Sequence, residues 1–279
     1  MSILITGATG YLGKKLINEF DNKNDRIILT YRNKKPKIHN SFILKKFDFF
    51  EKSKDSYNYL ERPNTLIHLA WAGLNLRNYD SEIHINQINY HFDFIESLIK
   101  EGLKNLVVIG SCFEYGKYEG EIVENFESKP VTKYGEAKNM LRIKIENLQK
   151  KYDFNFSWLR LFYFYGGVMN DRDLWGNLSY AIELKKKTFN LSKGDQLRDY
   201  LHIDDVVKYI KNVSLKKKNI GILNICSNEP VSIIDLVNSW KVKYEWEIQI
   251  KTNMVPIKDY ENNNFWGSNK KLKFILNNN

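Results

Sequence analysis

A tyrosine and a lysine that could cooperate in proton transfer stand four residues apart in the segment VTKYGEAKNML, as Tyr134 and Lys138. If this segment is helical, the two side chains share one face, so the ammonium can lie beside the phenol. A nearby cation favours the phenolate and lowers the pKa of the phenol from its ordinary value of about 10. Tyr134 would then give or take a proton near neutral pH. The spacing alone does not decide this, because Tyr31 and Lys35 repeat it in a predicted loop.

The glycine-rich segment GATGYLG, with Gly7, Gly10 and Gly13, indicates a phosphate-binding turn. It follows the β-rich run SILIT and precedes KKLINEF, which has helical spacing. Glycines allow a tight turn and a close approach of the backbone to a pyrophosphate. The helix N-terminus behind them offers free N–H groups and a favourable dipole. The sequence therefore predicts a dinucleotide site at the N-terminal end of the chain.

The segments that must position these residues alternate between short apolar runs and stretches of helical spacing. This alternation predicts an α/β protein with a parallel sheet that is covered by helices on both faces. We expect a Rossmann-type doubly wound sheet in residues 1–162, with residues 200–229 returning to it, and mainly a smaller substrate-binding lobe in residues 163–279. The predicted strands are SILIT, RIILTY, NTLIHLA, NLVVIGS and FSWLRLF, and the predicted long helices are SEIHINQINYHFDFIESLIKEG and TKYGEAKNMLRIKIENLQKKY.

Composition narrows the class of protein. The chain has 279 residues, 43% of them hydrophobic, and a formal charge of +10. Its apolar runs are too short for a membrane span, and Cys112 and Cys226 suggest neither a disulfide framework nor a metal site, so we expect a cytoplasmic protein. The basic residues are scattered and do not alternate with aromatic ones, which argues against nucleic-acid binding. An anionic small molecule suits the same positive field.

The spacing GxxGxxG resembles that of the extended short-chain dehydrogenase/reductase superfamily, in its nucleotide-sugar epimerase, dehydratase and reductase branch. Four later segments also resemble family patterns: LRLFYFYGG, DQLRDYLHIDDVV, LNICSNEPVSIIDLV and FWGSNKKLKFIL. The resemblance covers essentially the whole chain. It implies a nucleotide-diphosphate sugar as the substrate, and a homodimer formed through the helices around residues 82–101 and 134–150.

The resemblance also implies a catalytic group of three residues. In the family, the fifth strand ends in a Ser or Thr, and Tyr and Lys follow on the next helix. Here Ser111 ends the run VVIGS, and Tyr134 and Lys138 come after it. Ser111 would hydrogen-bond the substrate oxygen that Tyr134 protonates, and Lys138 would also hold the nicotinamide ribose.

The residues at the end of the second strand predict which nicotinamide cofactor the protein prefers. NAD-binding Rossmann domains place an acidic residue there, whereas this chain has Thr30, Tyr31 and Arg32. Because an arginine can pair with a 2′-phosphate, NADP(H) is favoured and NAD(H) is the alternative. His68, inside an apolar strand, is predicted to be a packed structural histidine. The residues predicted to bind the cofactor are Thr6, Gly7, Gly10, Tyr11, Leu12, Gly13, Arg32, Asp48, Phe49, Leu69, Ala70, Trp71, Asn86, Tyr134, Lys138 and Phe162.

The two residues that follow Ser111 indicate which reaction of the family to expect. Relatives that dehydrate a sugar carry Asp and Glu directly after the catalytic Ser or Thr, where this chain has Cys112 and Phe113. Elimination needs that acid–base pair. Cys112 is either an extra acid for epimerisation or a small buried thiol. Arg198 would clamp the diphosphate, because a guanidinium suits bidentate contacts. The residues predicted to bind substrate are Trp71, Cys112, Phe113, Tyr163, Asn177 and Arg198.

We therefore expect an enzyme that reduces the 4-keto group of a nucleotide-diphosphate deoxysugar, in the biosynthesis of surface-polysaccharide sugars. The short C-terminal lobe and the NADP(H) preference favour this reading. An NAD-dependent nucleotide-sugar epimerase is the alternative, since the two reactions share one site. A non-catalytic NADP(H) sensor is disfavoured, because such proteins typically lose the Tyr and Lys pair.

Overall fold

The computed structural model describes residues 1–20, 25–33, 35–36, 38, 42–51, 55–74, 78–167 and 173–278. The strands are β1 (Ser2–Thr6), β2 (Arg26–Tyr31), β3 (Ile43–Lys46), β4 (Thr65–His68), β5 (Asn105–Ser111), β6 (Gly120–Ile122), β7 (Asn155–Leu161), β8 (Tyr163–Tyr165), β9 (Thr188–Asn190), β10 (Leu197–His202), β11 (Gly221–Ile225), β12 (Pro230–Ser232), β13 (Gln249–Lys251) and β14 (Asn264–Gly267). The helices are α1 (Tyr11–Leu16), α2 (Ser56–Tyr59), α3 (Ile83–Asn86), α4 (Ile88–Glu101), α5 (Lys133–Leu148), α6 (Leu174–Glu183), α7 (Ile203–Lys216), α8 (Ile233–Lys243) and α9 (Lys270–Asn277).

Seven parallel strands form the main sheet, in the order β11-β7-β5-β4-β1-β2-β3. The central strands are apolar along their length and buried on both faces, as a covered parallel sheet requires. One face packs against α4 and α5, and the other against α1, α7 and α9. The predicted α/β class and doubly wound parallel sheet are confirmed.

The strand order reverses at β1, which lies between β2 and β4. In open parallel sheets, ligands bind beyond the carboxyl ends of the strands, where this reversal opens a crevice between the loops. The glycine-rich turn follows β1, Ser111 ends β5, and α5 carries Tyr134 and Lys138. The topology therefore brings the residues singled out from the sequence to one edge of the sheet.

A second, five-stranded sheet joins distant parts of the chain: β12, β10, β14 and β6 lie in that order, and β8 pairs with β10. Its strands come from residues 120–122, 163–165, 197–202, 230–232 and 264–267. Between them the chain returns to the main sheet, because β11 pairs with β7 and α7 packs over the core of that sheet. The carboxylate of Asp199 in β10 accepts hydrogen bonds from the backbone N–H groups of Ser227, Asn228 and Gly267. These bonds hold the segments after β11 and in β14 against β10.

The long helix predicted over residues 81–102 is in fact two helices, α3 and α4, which meet at Gln87. The buried Gln87 side chain hydrogen-bonds both the N–H and the C=O of Ala72, in the loop after β4. The predicted end at Gly102 holds, with φ of 127° at that residue. In the described parts of the chain, none of the helices is long and apolar enough to cross a bilayer.

Candidate active site

One cleft of about 1710 Å³ opens along the carboxyl edge of the main sheet. Its floor includes the glycine-rich turn and the loop after β4, and its far wall is formed by α6, β9 and residues 255–261. Both Arg32 and Arg198 line it. A cleft of this volume can hold a dinucleotide and a second ligand.

The glycine-rich turn is built so that backbone, and not side chain, faces the cleft. Gly7 has a φ of 73°, and a Cβ there would stand 2.7 Å from the backbone nitrogen of Ala70. A Cβ on Gly13 would stand 2.2 Å from the carbonyl oxygen of Gly7. Tyr11 and Leu12 also line the cleft at this turn. The residues fit the phosphate-bearing part of a dinucleotide, which needs this close approach of the backbone.

Ser111 ends β5 and caps a 3₁₀ turn at Cys112–Glu114. Its Oγ accepts a hydrogen bond from the N–H of Phe113 at 3.2 Å. The fully buried Glu114 carboxylate in turn accepts from the N–H of Ser111 at 2.8 Å and from the side chains of Trp158 and Arg160. Glu114 was missed from the sequence; a Ser followed three residues later by Glu is a capping-box pattern that could have identified it.

Tyr134 lies in the first turn of α5, which Thr132 caps by accepting from the N–H of Gly135 at 3.2 Å. Its ring lines the cleft, as Ser111 does. Burial raises the pKa of Tyr134, although the Ser111 side chain lowers it in part. This differs from the expected lowering by Lys138: in this structure the phenol is firmly in its protonated form.

Lys138 is buried one turn further along α5. Its Nζ donates to the carbonyl oxygen of Ile109 at 2.8 Å and lies 3.8 Å from the centre of the Trp71 ring. The same nitrogen is 5.9 Å from the centre of the Tyr134 ring. Burial lowers the pKa of Lys138 to about 7, against an opposing effect of the Glu114 carboxylate. The ammonium therefore lies in the cleft beside the phenol, but its nearest aromatic neighbour is Trp71.

His68 is buried at the end of β4 and makes two hydrogen bonds, to Thr6 Oγ1 and to the ring of His91, each 2.7 Å long. Burial lowers the pKa of His68 to about 3, so it is neutral at physiological pH. His68 does not line the cleft. These contacts fit the structural role that the sequence predicted for it.

Aromatic rings surround Tyr134 at the end of the cleft away from the glycine turn. We call Tyr79, Phe113 and Tyr260 the aromatic collar. Within it, the Tyr79 and Phe113 ring centres are 4.7 Å apart, and Tyr79 lies 5.5 Å from Tyr134. Tyr260 contacts both other members, at 6.0 and 6.1 Å. Tyr79 and Tyr260 were not singled out from the sequence, because only the fold brings residues so far apart in the chain to one place.

Four other predicted substrate residues line the same cleft: Cys112, Tyr163, Asn177 and Arg198. Burial raises the pKa of Cys112 to about 12, so its thiol is neutral. Arg198 is buried, and its guanidinium donates to the carbonyl oxygens of Leu197, Asn263 and Asn262. Backbone groups already occupy these donors, and the Glu261 carboxylate lies 3.9 Å from the guanidinium, so Arg198 lines the cleft in a fixed position with its charge partly balanced.

Three predicted cofactor residues do not reach the cleft. Thr6 is turned inward to His68, and the Asp48 carboxylate accepts from the N–H of Phe50 within its own turn. Asn86 is exposed on the outer side of α3, and Gln87 takes the inward position beside it. The remaining predicted cofactor residues all line the cleft, namely Gly7, Gly10, Tyr11, Leu12, Gly13, Arg32, Phe49, Leu69, Ala70, Trp71, Tyr134, Lys138 and Phe162.

The family comparison agrees with this geometry. A family model described as "NAD dependent epimerase/dehydratase family" matches residues 3–226. The dTDP-6-deoxy-L-talose 4-dehydrogenase (NAD(+)) of Aggregatibacter actinomycetemcomitans is 30% identical, over 96% of this chain and 100% of its own. The dTDP-4-dehydro-6-deoxyglucose reductase of Escherichia coli is 24% identical, over 86% and 81% of the two chains.

A solved structure shows the same fold. The UDP-glucuronic acid 4-epimerase of Bacillus cereus, in complex with UDP-glucuronic acid and NAD, superposes with a TM-score of 0.84. It is 21% identical, and the match covers 100% of this chain and 94% of that one.

Proposed function

Because this chain belongs to the NAD dependent epimerase/dehydratase family, we propose that it reduces the 4-keto group of a nucleotide-diphosphate deoxysugar with a nicotinamide cofactor. The proposal rests on one observation: Ser111, Tyr134 and Lys138 line the same cleft as the glycine-rich turn. The two relatives whose names give a 6-deoxysugar 4-dehydrogenase and a 4-dehydro-6-deoxysugar reductase support the same chemistry.

A nicotinamide cofactor, which the residues of the glycine-rich turn and Lys138 would hold in the cleft, would supply the hydride for this reduction. Tyr134 gives its hydroxyl proton to the carbonyl oxygen, for which its protonated state in this structure is the required one. The Oγ of Ser111 accepts from the N–H of Phe113, so its own hydrogen is directed elsewhere and can be donated to the same oxygen. Lys138 stabilises the phenolate that is left. The same steps in reverse oxidise the alcohol.

The aromatic collar supports a deoxysugar as the substrate. Tyr79 and Phe113 contact the ring of Tyr134, and Tyr260 packs against both of them, so apolar ring surface lies beside the proposed position of the reacting carbonyl. A methyl group gains from contact with such a surface. We propose that residues 163–279, with these collar residues, form most of the substrate-binding lobe, and that Arg198 faces the diphosphate.

Two side chains argue against elimination and against an epimerisation that would use Cys112 as its acid. Cys112 and Phe113 stand where the acid–base pair of a dehydratase would be, and neither is a carboxylate. With its pKa raised to about 12, the Cys112 thiol is a poor acid or base near neutral pH. We therefore favour simple reduction, and we assign Cys112 to packing.

We propose that Arg32 lets this chain use NADP(H), with NAD(H) as the alternative that the name of the Aggregatibacter relative favours. Arg32 lines the end of the cleft after β2, and its guanidinium lies 5.8 Å from the centre of the Phe50 ring. A guanidinium there can pair with a 2′-phosphate. We also propose a cytoplasmic homodimer that serves the synthesis of surface-polysaccharide sugars.

The proposal is tested by mixing the purified protein with nucleotide-linked 4-keto-6-deoxysugars and either NADPH or NADH. We expect stoichiometric loss of the absorbance of the reduced nicotinamide and formation of the 4-hydroxy sugar. The Tyr134→Phe variant is the matched control, since it removes only the hydroxyl: it should bind cofactor normally and lose at least about a hundredfold in turnover. A change in sugar stereochemistry at constant absorbance would instead identify an epimerase.

A further inference from the structure

The surroundings of Lys138 contain an aromatic partner that the proposed reaction has not used. The ammonium is 4% exposed, and its one hydrogen bond among the described residues goes to the carbonyl oxygen of Ile109. In the same part of the chain, no carboxylate forms an ion pair with it. A buried ammonium needs compensation for its lost water. The face of the Trp71 indole, 3.8 Å away, is the group that can supply it.

Trp71 is held on three sides. Its indole N–H donates to Nδ1 of His84 at 3.2 Å. The indole also stacks on the ring of His91, with centres 4.6 Å apart and planes within 14°. Gly73 lets α3 approach this loop, because a Cβ there would stand 2.6 Å from Ile83. The indole is therefore a fixed surface, and the Lys138 side chain can come to rest on it.

Burial lowers the pKa of both His68 and His91, so both imidazoles are neutral. The N–H of Ala72 donates to Oε1 of Gln87, so Nε2 of His91 must also donate to that oxygen. In a neutral His91, Nδ1 then accepts from Nε2 of His68, and Nδ1 of His68 accepts from the Thr6 hydroxyl. Each ring thus carries a single N–H.

His84 is neutral for the same reason. Its Nδ1 accepts from Trp71, and its Nε2 donates to the carbonyl oxygen of Asn78 at 3.0 Å. Because the three imidazoles near the indole are neutral, none of them competes as a cation with Lys138 for the ring face. The attraction between that face and the Lys138 ammonium is therefore not weakened by a second positive charge.

We propose that Trp71 is a positioning residue for Lys138: its indole face stabilises the charged ammonium and fixes it beside Ile109 and Tyr134. This rests on the proposed function only for its effect on turnover, since the contact itself is independent of any reaction. The other titratable groups around Lys138 are Glu114 after β5, Tyr134 on α5, His68 at the end of β4, His84 on α3 and His91 on α4. Of these, only Glu114 carries a charge, and it acts in the same direction as Trp71.

The direct test is a pH titration of Lys138 that is monitored by NMR, in protein labelled with ¹³C at the lysine ε-carbon. The Lys138→Met spectrum assigns the signal. In Trp71→Leu, which has no ring face, we expect the proton affinity of Lys138 to fall about tenfold, and in Trp71→Phe by less, in line with the strength of cation–π contacts. Phe92→Leu is the matched control, because Phe92 holds Lys144 on the same helix and not Lys138.

If Trp71→Leu fails to fold, a second measurement uses a protein in which the shape of the site is unchanged. Protein made with fluorinated tryptophan retains the indole but has a weaker negative potential on its face, and the Lys138 titration should again move to lower pH. An unchanged titration in folded Trp71→Leu, or in the fluorinated protein, overturns the proposal.

The turnover measurement separates the two proposals. If the protein is a reductase, the fall in turnover at high pH should move to lower pH in Trp71→Leu and be partly restored in Trp71→Phe. A shifted Lys138 titration in a protein without reductase activity would support the role of Trp71 and reject the proposed function.

Discussion

At the scale of single residues, Tyr134 and Lys138 are both shifted towards their neutral forms by burial. The sequence predicted the pair and its shared helix face, but not this electrostatic state. Spacing shows that two side chains can meet; it does not show how much water the fold removes from each of them. Nor does it show that Trp71 and Ile109 hold the ammonium more closely than the phenol does.

Replacing Lys138 by Met should stabilise the protein, because it removes a buried ammonium. The pKa of Lys138 is about 7 in the fold and about 10.4 in an unfolded chain. The unfolded state therefore binds more protons between these values, and wild-type stability rises with pH across that window. We expect Lys138→Met to be about 2–4 kcal/mol more stable at about pH 6, with the difference declining towards about pH 10.

Denaturant unfolding of both proteins across this pH range measures the effect. Lys144→Met, at a less buried lysine on the same helix, is the control. A stability difference that stays constant from low to high pH would mean that Lys138 is not desolvated as described.

Replacing Arg32 by Asp should reverse the cofactor preference. An aspartate can accept from a ribose hydroxyl and repels a 2′-phosphate, so kcat/KM with NADPH should fall on the order of a hundredfold while that with NADH is kept. Steady-state kinetics with both cofactors decide this. Lys35→Asp makes the same charge change three residues away and should leave the ratio unaltered. An equal loss of kcat/KM with both cofactors would mean that Arg32 does not recognise the 2′-phosphate.

At the scale of elements, the sequence predicted turns and helix ends best where local chemistry specifies them. The glycine-rich turn after β1 and the end of α4 at Gly102 are examples, since each depends on residues close together in the chain. The break between α3 and α4 was missed because helical spacing runs unbroken through it. What ends α3 is the Gln87 amide, which bonds a loop fifteen residues earlier in the chain.

The glycine-rich turn allows a test at this scale. Gly13→Ala would place a Cβ 2.2 Å from the backbone of Gly7, so the turn must move. We expect about 1–3 kcal/mol of destabilisation and a loss of cofactor affinity of at least about tenfold. Thermal unfolding and fluorescence titration with the cofactor measure both effects. Gly10→Ala is the matched change, because its nearest contact would be 3.2 Å and its effect should be smaller. Equal effects of the two substitutions would contradict this account of the turn.

At the scale of the whole molecule, α4 and α5 expose an apolar surface that a second copy could cover. Tyr90, Met140 and Ile143 are between 39% and 45% exposed, and the last two lie on one stripe of α5. Exposed apolar groups that lie close together favour association. Their position agrees with the dimer that the family resemblance implies.

Ile143→Glu should therefore shift the protein from dimer to monomer, because it would bury a charge at the interface. Light scattering after size-exclusion chromatography measures the mass directly. Val242→Glu, at an exposed valine on α8, is the control and should leave the mass unchanged. A wild-type protein that is monomeric at micromolar concentration would exclude this dimer.

The five-stranded sheet has a consequence for how this protein can diversify. Its members alternate along the chain with segments of the main sheet, so β6, β8, β10, β12 and β14 assemble only when all intervening segments are present. A single crossover between two related genes would split this sheet and leave strands of different ancestry to pair with each other. New sugar preferences should therefore arise by substitutions at separate positions around the cleft, and chimeras that join one relative's front half to another's back half should fold poorly.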